Sequence, residues 1–290
     1  MATAADRVPV AKTYKIYIDG KFPRTESGRY FALNDADGKV IANICRGSRK
    51  DFRNSVVAAR KAFAGWSGAS AYLRGQILYR IAEMLEGRKE QFVSELMLQG
   101  VSKRKSKAET DTTIDRLIYF AGWADKYQQV FSAVNPVSSA HFNFSVLEPT
   151  GVVSILAPDE RGLLGLVSNI APVIAGGNTC VVLASEQRPL CAVSFAEVLH
   201  ASDVPAGVVN ILTGYRHELG EQFASHMDVN AVVYCDDDDG IAASIQDLAA
   251  GNIKRVIART GTDWSKDSAQ HPYLIRETQE VKTTWHPIGS

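Results

Sequence analysis

The sequence predicts an α/β fold in which helices cover both faces of a parallel sheet, with a helical segment in front of it. Three observations carry this. Five short apolar runs alternate with helical stretches from residue 152 onward. Three amphipathic stripes of helical period precede them, and between the two blocks the period falls to two near residue 142. Nearly continuous apolar strands separated by helices are buried on both faces, which is the pattern of parallel sheets.

Residues 1 to 14 read as a flexible tail. Lys15 to Asp19 (KIYID) alternates and precedes Gly20-Lys21, which predicts a short hairpin. Ser48 and Asp51 fit a capping box, because each side chain can satisfy an amide left free at a helix start. Phe52, Val56, Ala59 and Phe63 then share one helical face, and Gly65 is placed to end that helix. A second apolar stripe runs through Leu73, Ile77, Ile81, Met84 and Leu85, and a third through Ile114, Leu117, Ile118 and Ala121. These read as core-facing helices. Phe142, Phe144 and Val146 alternate with Asn143, Ser145 and Leu147, a half-exposed strand with one lapse at Leu147. The five runs are Val152 to Leu156, Cys180 to Leu183, Val208 to Leu212, Ala231 to Cys235 and Arg255 to Ala258. Ligands of such sheets bind beyond the carboxyl ends of the strands. Finally, Glu280 to Trp285 (EVKTTW) alternates with Val281, Thr283 and Trp285 on one face. Without a neighbour in sequence, it is a candidate to pair with another sheet edge or another chain.

Composition sets bounds. The 290 residues suffice for one large domain or two modest ones. Lys+Arg and Asp+Glu both total 32, so no global field points to nucleic acid. The first ten residues lack the apolar core of a signal peptide, and no run approaches a membrane span, so a cytoplasmic location is expected. Cys45, Cys180, Cys191 and Cys235 show no CxxC spacing, which argues against zinc or a dithiol site. Cys180 lies in an apolar run and reads as core.

Several stretches together resemble the aldehyde dehydrogenase family. They are IYIDGKF, AARKAFAGW, YFAGWADKY, EPTGVV, APVIAGGNTCVV, VPAGVVNIL and ETQEVKTTW, in matching order and spacing over roughly residues 15 to 260 and 275 to 289. The resemblance implies a Rossmann-like doubly wound sheet over 15–137 and 149–262. It also implies a small β oligomerisation element over 138–148 and 275–290. The catalytic domain that should follow residue 262 is not recognisable. In this the chain resembles the degenerate second domain of tandem-domain aldehyde dehydrogenases.

The chemistry implied by the resemblance needs a cysteine thiolate, an oxyanion donor and a general base. Counting back from Ala171-Pro172 puts the oxyanion Asn of the family on Glu160, whose carboxylate repels where an amide would donate. The general-base Glu falls on Arg259, which cannot accept a proton. None of the four cysteines lies in the nucleophile motif. The Lys-Pro-Ser-Glu that holds the adenosine ribose becomes Leu183-Ala184-Ser185-Glu186, leaving Glu186 as the one cofactor-binding candidate, with a solvent-facing acid as the alternative. The turn that approaches the pyrophosphate becomes Tyr234-Cys235-Asp236-Asp237, followed by Asp238 and Asp239. Those acids repel a diphosphate, or form a solvated loop or helix cap. A divalent metal on Asp236 to Asp239 is disfavoured, because adjacent aspartates do not point one way.

The expected function is therefore a catalytically inactive homologue, a pseudoenzyme, acting as an assembly or regulatory subunit. Its partner would be a complete aldehyde dehydrogenase or a second copy, met through the strand Glu280 to Trp285. No cofactor is expected on this reading. The alternative is an NAD(P)-binding oxidoreductase module acting on aldehydes.

Overall fold

The computed structural model describes residues 10–35, 37–235 and 237–289. The chain first forms a three-stranded sheet from β1 (Thr13–Tyr14), β2 (Tyr30–Asn34) and β3 (Val40–Cys45), with β3 in the middle. Part of the expected tail is thus structured: Thr13 and Tyr14 pair in parallel with Asn43 and Ile44. Residues 1–9 of that tail lie outside the described residues.

The KIYID segment departs from its alternation. Ile16 and Tyr17 are consecutive and both buried. The cause is a partner far along the chain: Tyr17 and Ile211 exchange two backbone hydrogen bonds of 2.8 Å. Of the predicted hairpin only the Ile18–Lys21 bridge forms, around Asp19 and Gly20 at φ of 52° and 70°. Two consecutive positive φ values make the tight primed turn that Asp-Gly favours.

Five helices follow: α1 (Arg49–Ser67), α2 (Ala71–Glu86), α3 (Lys89–Leu98), α4 (Lys103–Trp123) and α5 (Tyr127–Phe131). The capping box of α1 forms as expected, with Ser48 N donating to Asp51 Oδ2 at 2.8 Å and Asp51 N to Ser48 Oγ at 3.3 Å. Phe52, Val56 and Ala59 are buried. The helix runs past Gly65 to a cap at Gly68, because its last turn carries the buried Trp66, whose indole donates to Ile174 O at 3.0 Å. In the next two stripes Ile77, Ile81, Leu85, Ile114 and Leu117 are buried, whereas Leu73 and Ile118 are exposed. The buried faces are narrower than the apolar patterns.

A short strand β4 (Ala133–Asn135) and the longer β5 (His141–Pro149) lead into the main sheet. Its strands are β6 (Val152–Leu156), β7 (Thr179–Leu183), β8 (Val209–Leu212), β9 (Ala231–Tyr234) and β10 (Arg255–Ala258). Each matches a predicted run to within one residue; β9 stops one residue early, before Cys235. Between them run α6 (Leu164–Ala175), α7 (Leu190–His200), α8 (Arg216–Ser225) and α9 (Asp239–Ala250). The sheet is parallel throughout, in the order β10-β9-β6-β7-β8. Separate apolar clusters cover its two faces. The strand order reverses between β6 and β9, which creates a crevice at their carboxyl ends.

After β10 the chain passes through α10 (Tyr273–Arg276) into β11 (Gln279–Pro287). All nine residues of β11 pair antiparallel with β5, Thr283 opposite Ser145, giving a second three-stranded sheet in the order β11-β5-β4. The last strand thus finds a partner in its own chain. Among the described residues no strand covers its outer edge. The facing of β5 is opposite to what its apolar parity suggests: Asn143 and Leu147 are buried, while Phe142 is exposed and Phe144 and Val146 are half-buried. Leu147 belongs to the main core, and Asn143 is held by Asn135 Nδ2 at 2.7 Å. No helix among the described residues is long and apolar enough to cross a membrane.

Candidate functional site

The crevice between β6 and β9 is the first place to look for a ligand, because all four helices that follow parallel strands start on this side of the sheet. A helix start carries free amides and partial positive charge, and so favours anions. What matters is what those amides already bind.

At the start of α8 the backbone N–H of Arg216 donates to Glu186 Oε1. The Arg216 side chain crosses toward the end of β6, donating to the Ala157 carbonyl and lying 3.6 Å from Asp159 Oδ2. Asp159 in turn fixes the loop after β7, with its Oδ1 accepting from Ser185 Oγ at 2.9 Å and from Glu186 N at 2.7 Å. Glu186, the residue that the resemblance places on the adenosine ribose, here caps a helix. Leu183, which stands for the family's Lys, is buried in the apolar layer.

Glu109 plays the same part at α6. It projects from α4, is buried, and accepts from Leu163 N at 3.1 Å and Leu164 N at 3.3 Å. Burial pushes its carboxyl above the usual range, against the pull of those two amides. Glu160, at the oxyanion position, is exposed on the loop that precedes this helix. The next residue, Arg161, sits at φ 57°, so the loop is turned sharply there.

In the acidic run, Asp238 is the N-cap of α9 and accepts from Gly240 N at 2.9 Å and Ile241 N at 3.1 Å. Asp237 Oδ1 accepts from Gly261 N at 2.5 Å. Asp236 lies outside the described residues. The helix-cap reading of the run therefore describes Asp238. Among the described residues no group of three or more His, Cys, Asp or Glu side chains could hold a metal ion.

Arg259, at the general-base position, is buried just beyond β10. Its guanidinium lies 2.8 Å from Glu277 Oε2 and 2.6 Å from Asn169 Oδ1. Asn169 Oδ1 also accepts from Cys235 Sγ at 3.3 Å. Burial pushes the Cys235 thiol up to about 12, with nearby Arg259 and Arg216 opposing it, so no thiolate forms there near neutrality. Burial likewise raises the Cys180 and Cys191 thiols. The one carboxylate of this cluster, Glu277, is paired with Arg259. The cluster holds the C-terminal segment, and Arg255, on the same strand, assists. Arg255 donates to the carbonyls of Glu277 at 3.0 Å and Gln279 at 2.5 Å and pairs with Glu280 at 3.0 Å.

Sequence reasoning missed Glu109, Arg216 and Glu277. A signal was available for the first: Glu109 and Arg116 are seven apart on the helix whose apolar face enters the core. Nothing local marks the other two.

Among the described residues each of the four helix starts has at least one amide already bound to a side-chain oxygen. Those of α6, α8 and α9 are held by Glu109, Glu186 and Asp238, and at α7 Leu190 N donates to Gln99 Oε1 at 3.1 Å.

Residues 22–264 match the model of the aldehyde dehydrogenase family. The chain is 32% identical over 255 residues to cytosolic aldehyde dehydrogenase 1 of Elephantulus edwardii, covering 85% of this chain and 50% of that protein. It is 30% identical over 267 residues to cytosolic 10-formyltetrahydrofolate dehydrogenase of Mus musculus, covering 89% and 29%. The NAD+ complex of an aldehyde dehydrogenase from Bacillus cereus superposes with a TM-score of 0.81 at 26% identity, covering 86% of this chain and 51% of that one. The chain thus spans at most about half the length of these relatives.

Proposed function

Since the chain belongs to the aldehyde dehydrogenase family, we propose that it acts as a non-catalytic assembly or regulatory subunit, joining a complete aldehyde dehydrogenase or a second copy through β11. The observation that carries this reading is the contact between Arg259 and Glu277. The position that the resemblance assigns to the general base instead anchors the segment that leads into β11. The proposed role is cytoplasmic and needs no cofactor.

The outer edge of β11 suits such a role. Residues 281 to 287 are all exposed, including Val281 and Trp285. An uncovered edge offers backbone donors and acceptors for affinity and side chains for selectivity. The second reading, an NAD(P)-binding oxidoreductase module, draws support from the likeness to the NAD+ complex.

Co-expression with a complete aldehyde dehydrogenase of the same source, followed by light scattering, tests the proposal. The expected result is a mixed or self-assembled oligomer that Val281→Asp/Trp285→Asp disperses while the monomer stays folded. Removal of residues 279–290 should disperse it too. A monomer with no co-purifying dehydrogenase, or an oligomer indifferent to both changes, overturns the subunit reading. Aldehyde-dependent reduction of NAD+ by the isolated chain would favour the second.

A further inference from the structure

We infer that Glu109, Glu186 and Asp238 take the places that ligand anions would fill in the strand-end crevice, so that the crevice is structurally complete without a dinucleotide. The inference deepens the non-catalytic reading but stands on different contacts.

The geometry is the same at three helices. Each follows a strand of one parallel sheet, so each start faces the same edge. At α6 the Glu109 carboxylate accepts two consecutive amides, those of Leu163 and Leu164. At α8 Glu186 accepts the Arg216 amide. At α9 Asp238 accepts the amides of Gly240 and Ile241. Five amides that could bind phosphate oxygens are thereby committed to three carboxylates. The acids come from three sources: α4, the loop after β7, and the residue that precedes α9. One local accident does not produce such a set.

Charge leads to the same conclusion. A diphosphate entering here would have to displace the carboxylates and then sit beside them, like charge against like. The Arg216 guanidinium does not offset this, because it is nearly buried and already faces Asp159 and the Ala157 carbonyl. The side chain also reaches the residue that follows β6, beside the switch point. The contacts join β6, the loop after β7 and α8, as a bound cofactor would by bridging the same loops.

The full chain is titrated with NAD+, NADP+ and ADP-ribose at millimolar concentration, read by thermal unfolding and amide exchange. A ligand at roughly ten times its Kd raises Tm by about 2–4 °C. The expected shift is none, with exchange at Leu163, Leu164, Arg216, Gly240 and Ile241 slow and unchanged by ligand. In Glu186→Ala the Arg216 amide should exchange at least ~10-fold faster, and in Asp238→Ala those of Gly240 and Ile241 should do the same. A saturable Tm rise with any of the three ligands overturns the inference, as does unaltered exchange in both variants. Cofactor binding together with intact co-assembly would reject this inference and leave the subunit reading standing. Absent co-assembly with no cofactor binding would do the reverse.

Discussion

Arg259 and Glu277 form an ion pair of 2.8 Å that joins the end of the parallel sheet to the segment leading into β11. The Arg259 side chain is almost wholly buried, while that of Glu277 is about one-third exposed at 36%. Loss of the guanidinium therefore leaves an acid that water can partly reach. Arg259→Glu adds a second acid at the same place and should destabilise the fold by about 2–3 kcal/mol, below the full cost of breaking a fully buried pair. Arg259→Met should cost less, since it adds no second acid: Glu277 can turn to water and Asn169 Oδ1 keeps its contact with Cys235 Sγ. Urea unfolding of the three proteins gives the comparison. Equal midpoints would show that the pair does not hold the segment. Arg259→Glu should not create aldehyde oxidation, although it restores the family's residue.

A second prediction concerns alkaline pH. Lys254 is buried, and its ammonium donates to the carbonyls of Ala224 at 2.5 Å and His226 at 2.9 Å, with no carboxylate among these partners. Burial lowers its pKa from 10.5 to about 8. Below pH 8 both folded and unfolded states carry the proton. Between pH 8 and 10.5 the folded state releases it first, the unfolded chain binds more protons, and stability rises with pH. The gain is on the order of 1–3 kcal/mol. Burial raises Tyr14 and Tyr17 from 10 to about 12, which acts in the opposite sense. Above pH 10 the unfolded tyrosines ionise first, and stability falls. The buried thiols of Cys180, Cys191 and Cys235, raised from an ordinary value of 9, act in the same sense as the tyrosines but from about pH 9 upward. Denaturation midpoints should therefore rise from pH 8, peak near pH 9 and fall beyond it, and Lys254→Met should abolish the rise without touching the fall.

These two sites mark where sequence reading succeeds and where it stops. Four of the five parallel strands were legible because a strand buried on both faces must be apolar at nearly every position; β10, at the sheet edge with only Ile257 buried, was legible from its short β-branched run. Ser48 and Asp51 were legible because the capping box is closed within four residues. The loss of the base at Arg259 could be read through the resemblance, but its new partner could not: Glu277 is 18 residues away and meets it only through the fold. Glu109 reaches Leu163 across 54 residues and Glu186 reaches Arg216 across 30, so the pattern on α4 can mark Glu109 as core-facing but neither cap's partner can be read locally. On β5 the apolar parity misled, because Asn143 is buried by hydrogen bonding to Asn135 while Phe142 faces outward. Pattern reports polarity; burial also depends on what a polar group can bond to.

Glycine positions give a controlled pair. Gly207 has φ 86°, and a Cβ there would lie 2.6 Å from the Ala58 carbonyl oxygen, a backbone atom of α1 that cannot swing away. Gly28 has φ 69° and nothing within 4 Å of the same atom. Gly28→Ala should cost only the conformational term, about 1–2 kcal/mol. Gly207→Ala should carry that term plus the collision, reaching about 3 kcal/mol or more. Thermal unfolding separates the two. Similar losses would mean that α1 shifts freely against the loop before β8, contrary to its close packing on β7 and β8.

Arg116 is a buried guanidinium among neutral acceptors. It donates to Ser168 Oγ at 3.0 Å, Ala269 O at 2.7 Å and Trp264 O at 3.1 Å. Burial lowers its pKa, with nearby Asp267 opposing the shift. Its forked shape lets one side chain reach α6 and two points of the 262–272 loop together, a geometry that a lysine cannot copy. Arg116→Met removes a costly buried charge but leaves two backbone carbonyls without donors. Those carbonyls can regain hydrogen bonds only if the loop lifts toward water. The expected result is a global loss of about 1–3 kcal/mol with faster exchange concentrated in residues 262–272. Arg116→Lys should show the same local loosening to a smaller degree. If Arg116→Met unfolds at the same midpoint and the loop keeps its protection, then Trp264 and the apolar contacts around it hold the loop, and the guanidinium is not its anchor.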